Sequence, residues 1–297
     1  MIYAILSVLL WSTQATAFKL TLRYTNQFGL LLISSVVSLL VYLLWLSATN
    51  KLFIEIKNFK RNTRSAVLGF LNPFLYYIVL FTAYSLLKAQ EALVLNYLWP
   101  IVLTILSSIF LKRRISLLKL FALLVSFSGA FITITQDDIK NLSFKNPIGV
   151  SLALLSTVIW AVYWLINMTD KREAETKLFF NFLFGNLYLF IFTLVLKPLK
   201  ITSSLAILGG VYVGLFEMGI TFLLWLKALN TVKDTSRVSN LIYFSPFLSL
   251  LFISLFLKEK IYTSTIIGLV LIIIGVLSQE YLHKRENSEN VNNISAN

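Results

Sequence analysis

The stretch 97–115, YLWPIVLTILSSIFLKRRI, returns 146 residues later as 243–261, YFSPFLSLLFISLFLKEKI. Both copies carry a tyrosine three residues before a proline, and both contain Phe-Leu-Lys near their end. Leu and Ile match by chance between any two apolar helices, but this combination of features is much harder to obtain by chance. The sequence therefore predicts an internal duplication. Further pairs at the same spacing are Pro100 with Pro246, Gly129 with Gly275, and Ile115 with Ile261.

The repeat extends toward the N-terminus of each copy. Gly69 aligns with Gly214 at a spacing of 145 residues, and Trp11 pairs with Trp160. These matches lie in other apolar stretches, so the duplication covers a whole half of the chain rather than one motif.

Composition places both halves in a membrane. The chain has 297 residues, of which 58% are hydrophobic and 13% charged. Average soluble domains are about 45–50% apolar and about 25% charged. The mean hydropathy of +0.80 agrees with this difference. The composition excludes a soluble enzyme, a disordered protein and a coiled coil.

Polar breaks divide the chain into ten apolar stretches, each close to the roughly 20 residues that a membrane helix needs. The stretches are long and apolar on all sides, which favours helices over the short alternating strands of a barrel. The sequence therefore predicts an all-α integral membrane protein. The predicted spans are 2–18, 28–48, 65–87, 92–111, 115–135, 147–168, 177–196, 203–226, 237–257 and 261–281.

The duplication and the number of spans together predict an inverted repeat. Each half holds five spans, and because five is odd the second half enters the membrane from the opposite side. We assign 1–140 and 141–283 to the two five-helix repeats and expect 284–297, rich in Asn, Ser and Glu, to be a disordered cytoplasmic tail. Inverted repeats with a site near the midplane are typical of secondary transporters.

The basic residues indicate orientation rather than nucleic-acid binding. The net charge is +13, but Lys and Arg lie in loops and at span ends. With ten spans, 17 of the 26 basic residues fall on the side of the termini, mainly in 51–64 and 112–119. The positive-inside rule then places both termini in the cytoplasm.

Several kinds of chemistry are excluded by residue content. The chain has no cysteine, and its single histidine, His283, lies in the polar tail. Disulfides, thiolate metal sites and a Ser–His catalytic set are therefore unavailable. No phosphate-binding GxxxxGK[ST] loop is present either. We expect no metal, no cofactor and no enzymatic activity.

Four stretches resemble the EamA-type members of the drug/metabolite transporter superfamily. They are 10–12 (LWS), 160–163 (WAVY), 222–229 (FLLWLKAL) and 243–246 (YFSP). The motif 96–100 (NYLWP) resembles, more specifically, the bacterial aromatic amino-acid exporters of that superfamily. Two positions depart: Arg113 replaces a Glu found in many members, and Glu217 is not carried over from the aromatic exporters. The resemblance implies a transporter of small molecules.

Glu217 is the acidic residue that lies near the middle of a predicted span; the other twelve lie in loops, at span ends or in the tail. An ionised group at bilayer depth costs several kcal/mol, so such residues face a cavity, pair with another group or are held neutral. Glu217 is therefore a candidate to bind a substrate amine or to exchange a proton. The alternative is a structural hydrogen bond to a neighbouring helix.

Proline interrupts the fourth and ninth spans next to polar and aromatic residues. Pro100 frees the carbonyl of Asn96, because proline has no N–H to donate. Freed backbone groups beside an amide are tolerated where they line a cavity. We predict helix kinks at Pro100 and Pro246, against the alternative of packing kinks with interfacial aromatics. The predicted substrate-binding residues here are Asn96, Tyr97, Trp99 and Tyr243.

Aromatic and amide residues recur in the paired first and sixth spans. In the sixth span they fall at i, i+3, i+4 and i+7, which predicts one helical face. Such a face suits a planar, amphipathic ligand, although helix packing is the alternative. The predicted binding residues are Trp11, Gln14, Trp160, Tyr163, Trp164 and Asn167. Tyr77, with Tyr76 and Asn72, is a weaker candidate in the third span, where Asn72-Pro73 predicts a kink.

These features predict a secondary active transporter in the bacterial cell (inner) membrane. The expected activity is export of small amphipathic metabolites, with amino acids and above all aromatic ones favoured, by alternating access around a central cavity. A multidrug or organic-cation exporter is the alternative, and an intramembrane enzyme or receptor is less favoured. The expected partners are the small-molecule substrate and the lipid bilayer, and five spans per half are compatible with a functional monomer.

Overall fold

The computed structural model describes residues 1–57, 62–110, 117–137, 146–196, 199–231 and 241–295. Within these ranges the regular structure is helical, with one isolated bridge between Thr25 and Ile201. The basic run Lys112 to Arg114, which contributes to the predicted orientation, lies outside the described residues.

The helices of the first half occur in five groups, which correspond to the five predicted spans. A short helix, Leu52–Lys57, lies between the second and third groups. The groups are Ile2–Ser12 with Gln14–Thr21; Gln27–Ala48; Arg64–Gly69, Phe70–Leu75 and Tyr76–Leu86; Ala89–Asn96 with Trp99–Phe110; and Leu117–Ile134.

The second half also forms five groups. They are Pro147–Met168; Ala174–Leu196; Ser204–Val213, Gly214–Gly219 and Ile220–Thr231; Ile242–Phe244, Ser245–Phe252 and Ile253–Leu257; and Thr263–Ser295. The starts predicted at 115 and 237 lie outside the described residues. The last helix continues to Ser295, so it includes most of the segment for which the composition predicts disorder. Adding a residue to an existing helix costs far less than nucleating one, which allows a polar extension.

Six helical runs are long and apolar enough to cross a membrane, judged by length and composition. Shorter apolar helices occur in the fifth, ninth and tenth spans. The six runs are Gln27–Ala48, Arg64–Leu86, Ala89–Phe110, Pro147–Met168, Ala174–Leu196 and Ser204–Ala228. The protein is therefore an all-α integral membrane protein, as the composition predicts.

The contacts between spans keep the same pattern when the two halves are exchanged. The first span packs on the eighth and ninth, and the sixth packs correspondingly on the third and fourth. The second packs on the seventh and the fifth on the tenth, and each of these pairs is its own counterpart. This pairing is what two inverted five-helix repeats around a pseudo-two-fold axis produce.

The third and eighth spans each depart from the regular α-helix at matched positions. The eighth contains a π-helical turn, Gly214–Gly219, and the third is kinked within Phe70–Leu75; both lie where Gly69 aligns with Gly214. In the third span the backbone of Asn72 leaves the helical region, with φ of −147° and ψ of 120°, which confirms the predicted kink. Short π-helical turns inside α-helices occur frequently at functional sites.

Close backbone contact holds the π turn of the eighth span against the second span. A Cβ atom on Gly214 would lie 2.5 Å from the backbone oxygen of Ser34. The Ser38 hydroxyl donates to the Gly214 carbonyl at 2.8 Å. Glycine is therefore required here for the two helices to approach each other.

The predicted proline kinks take two forms. The fourth span is interrupted between Asn96 and Trp99, just before Pro100. In the ninth span a 3₁₀ turn, Ile242–Phe244, precedes the helix Ser245–Phe252, and Pro246 occupies the first turn of that helix, where its missing N–H costs nothing.

A buried ion pair fixes the loop between the sixth and seventh spans. Arg172 donates to both carboxylate oxygens of Asp170, to the Asn62 amide oxygen at 2.7 Å and to the Ser65 hydroxyl at 2.9 Å. Burial raises the pKa of Asp170, but the hydrogen bonds and charge of Arg172 outweigh it and hold that pKa below its usual value. This cluster ties the loop to the start of the third span.

Candidate functional site

A cavity of about 300 Å³ lies between the two halves. The first, third, fourth, sixth, eighth and ninth spans all contribute to its wall. Its position between the repeats is the one in which secondary transporters place their substrate. The lining residues are Trp11, Gln14, Tyr76, Asn96, Tyr97, Trp99, Pro100, Leu103, Trp160, Trp164, Glu217, Phe222, Trp225, Ile242 and Tyr243.

Most of the residues singled out from the sequence lie on this wall, although they come from five separate spans. Four others do not line it, namely Tyr77, Tyr163, Asn167 and Pro246. Of these, Tyr77, Tyr163 and Asn167 are buried behind the wall, and Pro246 lies in the core of the ninth span.

Glu217 lies in the π turn of the eighth span and is 8% exposed. Its carboxylate is held from two sides. The Gln14 amide, oriented so that its nitrogen faces the carboxylate, lies 3.0 Å from Oε1 and 2.5 Å from Oε2. The Tyr77 hydroxyl donates to Oε1 at 3.2 Å. Both partners are neutral, so the carboxylate has hydrogen bonds but no salt bridge among the described residues.

The backbone at Glu217 takes part as well. The indole Nε1 of Trp11 donates to the carbonyl oxygen of Glu217 at 3.2 Å. The π turn displaces this carbonyl from the regular helical ladder, which makes it available to a side chain of another helix. The first and eighth spans are therefore joined at the position of the carboxylate, by Gln14 and Trp11 together.

Aromatic rings form the remainder of the wall. Trp160 stacks on Tyr76, with ring centroids 4.6 Å apart and an interplanar angle of 30°. On the opposite side Trp11 contacts Phe222 at 5.7 Å and Trp225 at 5.3 Å. Asn96 donates from its amide to the Ser156 hydroxyl at 3.0 Å. The cavity thus offers flat apolar surfaces with amide and hydroxyl groups at their edges.

The predicted single face of the sixth span is divided in the structure. Trp160 and Trp164 face the cavity, whereas Tyr163 turns toward the seventh span and accepts a hydrogen bond from the Asn181 amide at 3.3 Å. Asn167 lies about one turn beyond Trp164 and is buried outside the cavity wall. A helical face about 100° wide is shared here between the cavity and a neighbouring helix, so periodicity alone overestimates the lining.

Phe222 and Trp225 line the cavity but were not among the predicted residues. They follow Glu217 by five and eight residues, and a residue five positions away does not share a face with it in a regular α-helix. The π turn adds a residue and brings them into line with Glu217. Leu103 and Ile242 also line the cavity and have no distinguishing signal in the sequence, whereas Tyr76 is one of the weaker candidates of the third span.

The lining residues extend from the centre of the molecule toward one end. We call the end at which the first span begins the near end, and the opposite end the far end. Leu103 and Trp225 lie in the near-end halves of the fourth and eighth spans. Toward the far end the interior is filled by buried Phe18, Phe81 and Tyr84.

The family model for EamA-like transporters matches residues 1–135 and again residues 147–278. The chain belongs to the EamA-like transporter family. The two matches coincide with the two halves that the sequence repeat and the span contacts define.

Relatives of this EamA-like transporter are transporters by name. An uncharacterized transporter of Archaeoglobus fulgidus is 24% identical over 281 residues, which cover 91% of this chain and 95% of the relative. An uncharacterized transporter of Bacillus subtilis is 24% identical over 196 residues, covering 65% and 66% of the two chains. Family and relatives identify a membrane transporter of a small molecule rather than an enzyme.

A crystal structure supports the fold of this EamA-like transporter. Its TM-score is 0.67 at 21% sequence identity, and the match covers 96% of this chain and 97% of that one. At this level of identity the likeness concerns the arrangement of the helices alone.

Proposed function

We propose that this EamA-like transporter is a secondary active exporter of small amphipathic molecules that combine a planar aromatic ring with an amine. The leading substrates are aromatic amino acids. The observation that carries the proposal is Glu217, a carboxylate in a cavity whose other walls are mainly aromatic rings. A ring stacks on such walls while the substrate's ammonium group is attracted to the carboxylate.

The carboxylate also suggests how transport is driven. Glu217 is bound by neutral groups only, so a substrate ammonium and a proton compete for the same oxygens. Exchange of one for the other couples export to a proton gradient. The two repeats then rock around the cavity, which is how alternating access works in inverted-repeat transporters.

Organic cations without a carboxylate are the second candidate substrates. The observation that favours them is the charge of the wall: among the lining residues that the structure describes, Glu217 carries the only charge. The carboxylate of an amino acid therefore finds neutral donors such as Tyr97, Tyr243 and Asn96, but no Lys or Arg. An aromatic amine without a carboxylate places no unpaired negative charge in the cavity.

We place the protein in the bacterial inner membrane with both termini cytoplasmic, on the basis of the asymmetry of its basic loops. The near end then faces the cytoplasm, and the cavity extends toward the side from which an exporter loads its substrate. A complete cavity forms within one chain, which supports a functional monomer.

The test is uptake into proteoliposomes with and without a pH gradient. Labelled phenylalanine and phenethylamine differ by the carboxylate alone, so they separate the two candidates. Saturable, gradient-dependent transport of phenylalanine supports the amino-acid exporter, and transport of phenethylamine alone supports the cation exporter. Transport of neither, by protein that is monodisperse before reconstitution, would overturn the proposal. Empty liposomes are the control.

A further inference from the structure

The interior between the cavity and the far end contains a buried hydroxyl without a partner. Ser249, in the ninth span, is 0% exposed, and its Oγ has no hydrogen-bond partner among the described residues. Leaving a buried hydroxyl unsatisfied costs free energy, and such groups in native structures require an explanation. One explanation is that this hydroxyl is hydrated in another conformation of the protein.

The sequence repeat indicates which residues exchange roles between conformations. In an inverted repeat, the opposite-facing state arises when each half adopts the conformation of the other, so residues that line one path predict the lining of the other. The spacings of the repeat relate the near-end wall of the cavity to far-end residues. The pairs are Leu103 and Ser249, Phe222 and Tyr77, Trp225 and Leu80, and Trp164 and Ala15.

The far-end members of these pairs share one property. All four are at most 3% exposed in the structure, whereas their near-end counterparts line the cavity. Other lining residues exchange among themselves: Trp11 with Trp160, Asn96 with Ile242, and Tyr97 with Tyr243. These six form a centre that is common to both states.

A hydrogen-bonded residue joins the two halves at the far end. Gln90, at the start of the fourth span, is 0% exposed and uses both ends of its amide. Its nitrogen donates to the Lys260 carbonyl at 2.9 Å and lies 3.5 Å from the Glu259 carboxylate. Its oxygen accepts from the Tyr262 backbone at 3.1 Å and from the Thr265 hydroxyl at 2.9 Å. Separation of the halves at this end must break these bonds.

We infer that Ala15, Tyr77, Leu80 and Ser249 line the far-end half of the transport path, and that Gln90 is the latch that keeps it closed in this state. The inference rests on the proposed function only in assuming that the protein alternates between two open states. It assigns the unpartnered Ser249 hydroxyl to a surface that is hydrated when the far end opens.

The chain has no cysteine, so a single introduced cysteine reports its own accessibility. Ser249→Cys is expected to react with a membrane-impermeant maleimide added from the far side, and Leu103→Cys from the near side. Right-side-out and inside-out vesicles distinguish the two sides, whichever way the protein is oriented in the cell. Ser126→Cys is the matched control, because Ser126 is equally buried but lies between the fifth and tenth spans.

Variants of the latch test the second part of the inference, that Gln90 keeps the far end closed. In the Ser249→Cys background, Gln90→Leu removes all four contacts and is expected to raise the rate of far-side labelling about tenfold. Thr265→Val removes a single hydrogen bond and is expected to raise it about threefold. Because Thr265→Val is nearly isosteric, it keeps the test valid if Gln90→Leu does not fold.

Two results would overturn the inference. One is an unreactive Ser249→Cys in the wild-type background and in both latch variants, in vesicles where Leu103→Cys reacts. The other is labelling of Ser126→Cys as fast as Ser249→Cys, which would indicate general opening. Aromatic-amine transport without far-side labelling would refute this inference but not the proposed function. Far-side labelling without transport would refute the proposed function but not this inference.

Discussion

At the scale of single residues, the site is defined by the contrast between Glu217 and its surroundings. The carboxylate is buried, and its described partners are the neutral groups Gln14 and Tyr77. A structural role as a helix-to-helix hydrogen bond and a transport role are both compatible with these contacts. The two roles predict different effects on transport when the carboxylate is replaced by a neutral side chain of the same shape.

We expect Glu217→Gln to reduce transport at least about 100-fold while the protein still folds and reaches the membrane. The amide keeps the hydrogen bond to Tyr77 but cannot bind an ammonium ion or exchange a proton. The measurement is initial uptake in proteoliposomes at matched protein levels. Glu55→Gln, in the helix Leu52–Lys57, is the control. Transport by Glu217→Gln at the wild-type rate would assign Glu217 a structural role.

We expect Trp160→Leu to raise the KM for an aromatic substrate about 3- to 10-fold, because a ring-to-ring contact contributes about 0.5–1.5 kcal/mol. Trp160 presents its ring to the cavity and stacks on Tyr76. Tyr163→Phe serves as the control, since Tyr163 lies behind the wall and bonds to Asn181. Concentration-dependent uptake gives both values, and an equal rise in KM for the two variants would contradict the assignment.

At the scale of elements, the π turn of the eighth span decides which of its residues face the cavity. The turn at Gly214–Gly219 shifts the helical register, so that Glu217, Phe222 and Trp225 share one face. The kink at the matched position of the third span contains Asn72, the counterpart of Glu217 at the spacing of the repeat. The two matched interruptions thus carry a carboxylate in one half and a neutral amide in the other.

We expect Gly214→Ala to destabilise the protein by about 1–3 kcal/mol, the usual cost of overpacking. The added Cβ would lie 2.5 Å from the Ser34 carbonyl oxygen, which is backbone and cannot turn away. Thermal unfolding in detergent measures the effect. Leu208→Ala, at an exposed position of the same span, is the control and should change stability far less. Equal stability of Gly214→Ala and wild type would show that the two spans are not in close contact there.

At the scale of the whole molecule, the two halves are held together by different means at different depths. Apolar packing dominates along the spans, whereas polar clusters close the ends. The Asp170–Arg172 pair with Asn62 and Ser65 is such a cluster, and both of its charges are nearly buried. Removing one partner of a buried pair leaves the other charge uncompensated, which costs about 3–5 kcal/mol.

We therefore expect Asp170→Asn to be less stable than wild type at pH 7 and to depend less on pH. Because the pKa of Asp170 is below its usual value in the folded protein, its contribution to stability is present above about pH 4 and is lost as the pH falls further. Unfolding in detergent between pH 7 and pH 3 measures this. Parallel curves for Asp170→Asn and wild type over that range would contradict it. Glu55→Gln is again the control.

Much of the architecture follows from the sequence alone. The count of apolar stretches, the matched prolines and the odd number of spans per half predict ten helices in two inverted repeats, and the all-α membrane fold is confirmed. Glu217 was recognisable because a charge at the middle of an apolar span is costly wherever the helix packs. These inferences depend on the free energy of transferring a segment into lipid, which is a property of each segment by itself.

Only the tertiary structure decided which polar and aromatic groups meet. Gln14, Tyr77 and Glu217 lie in three different spans, and the divided face of the sixth span depends on where the seventh span packs. The π turn of the eighth span, which aligns Phe222 and Trp225 with Glu217, breaks the period on which sequence reasoning relies. Transfer into lipid determines that a segment is helical and crosses the membrane, whereas its rotation and register are determined by the helices that contact it.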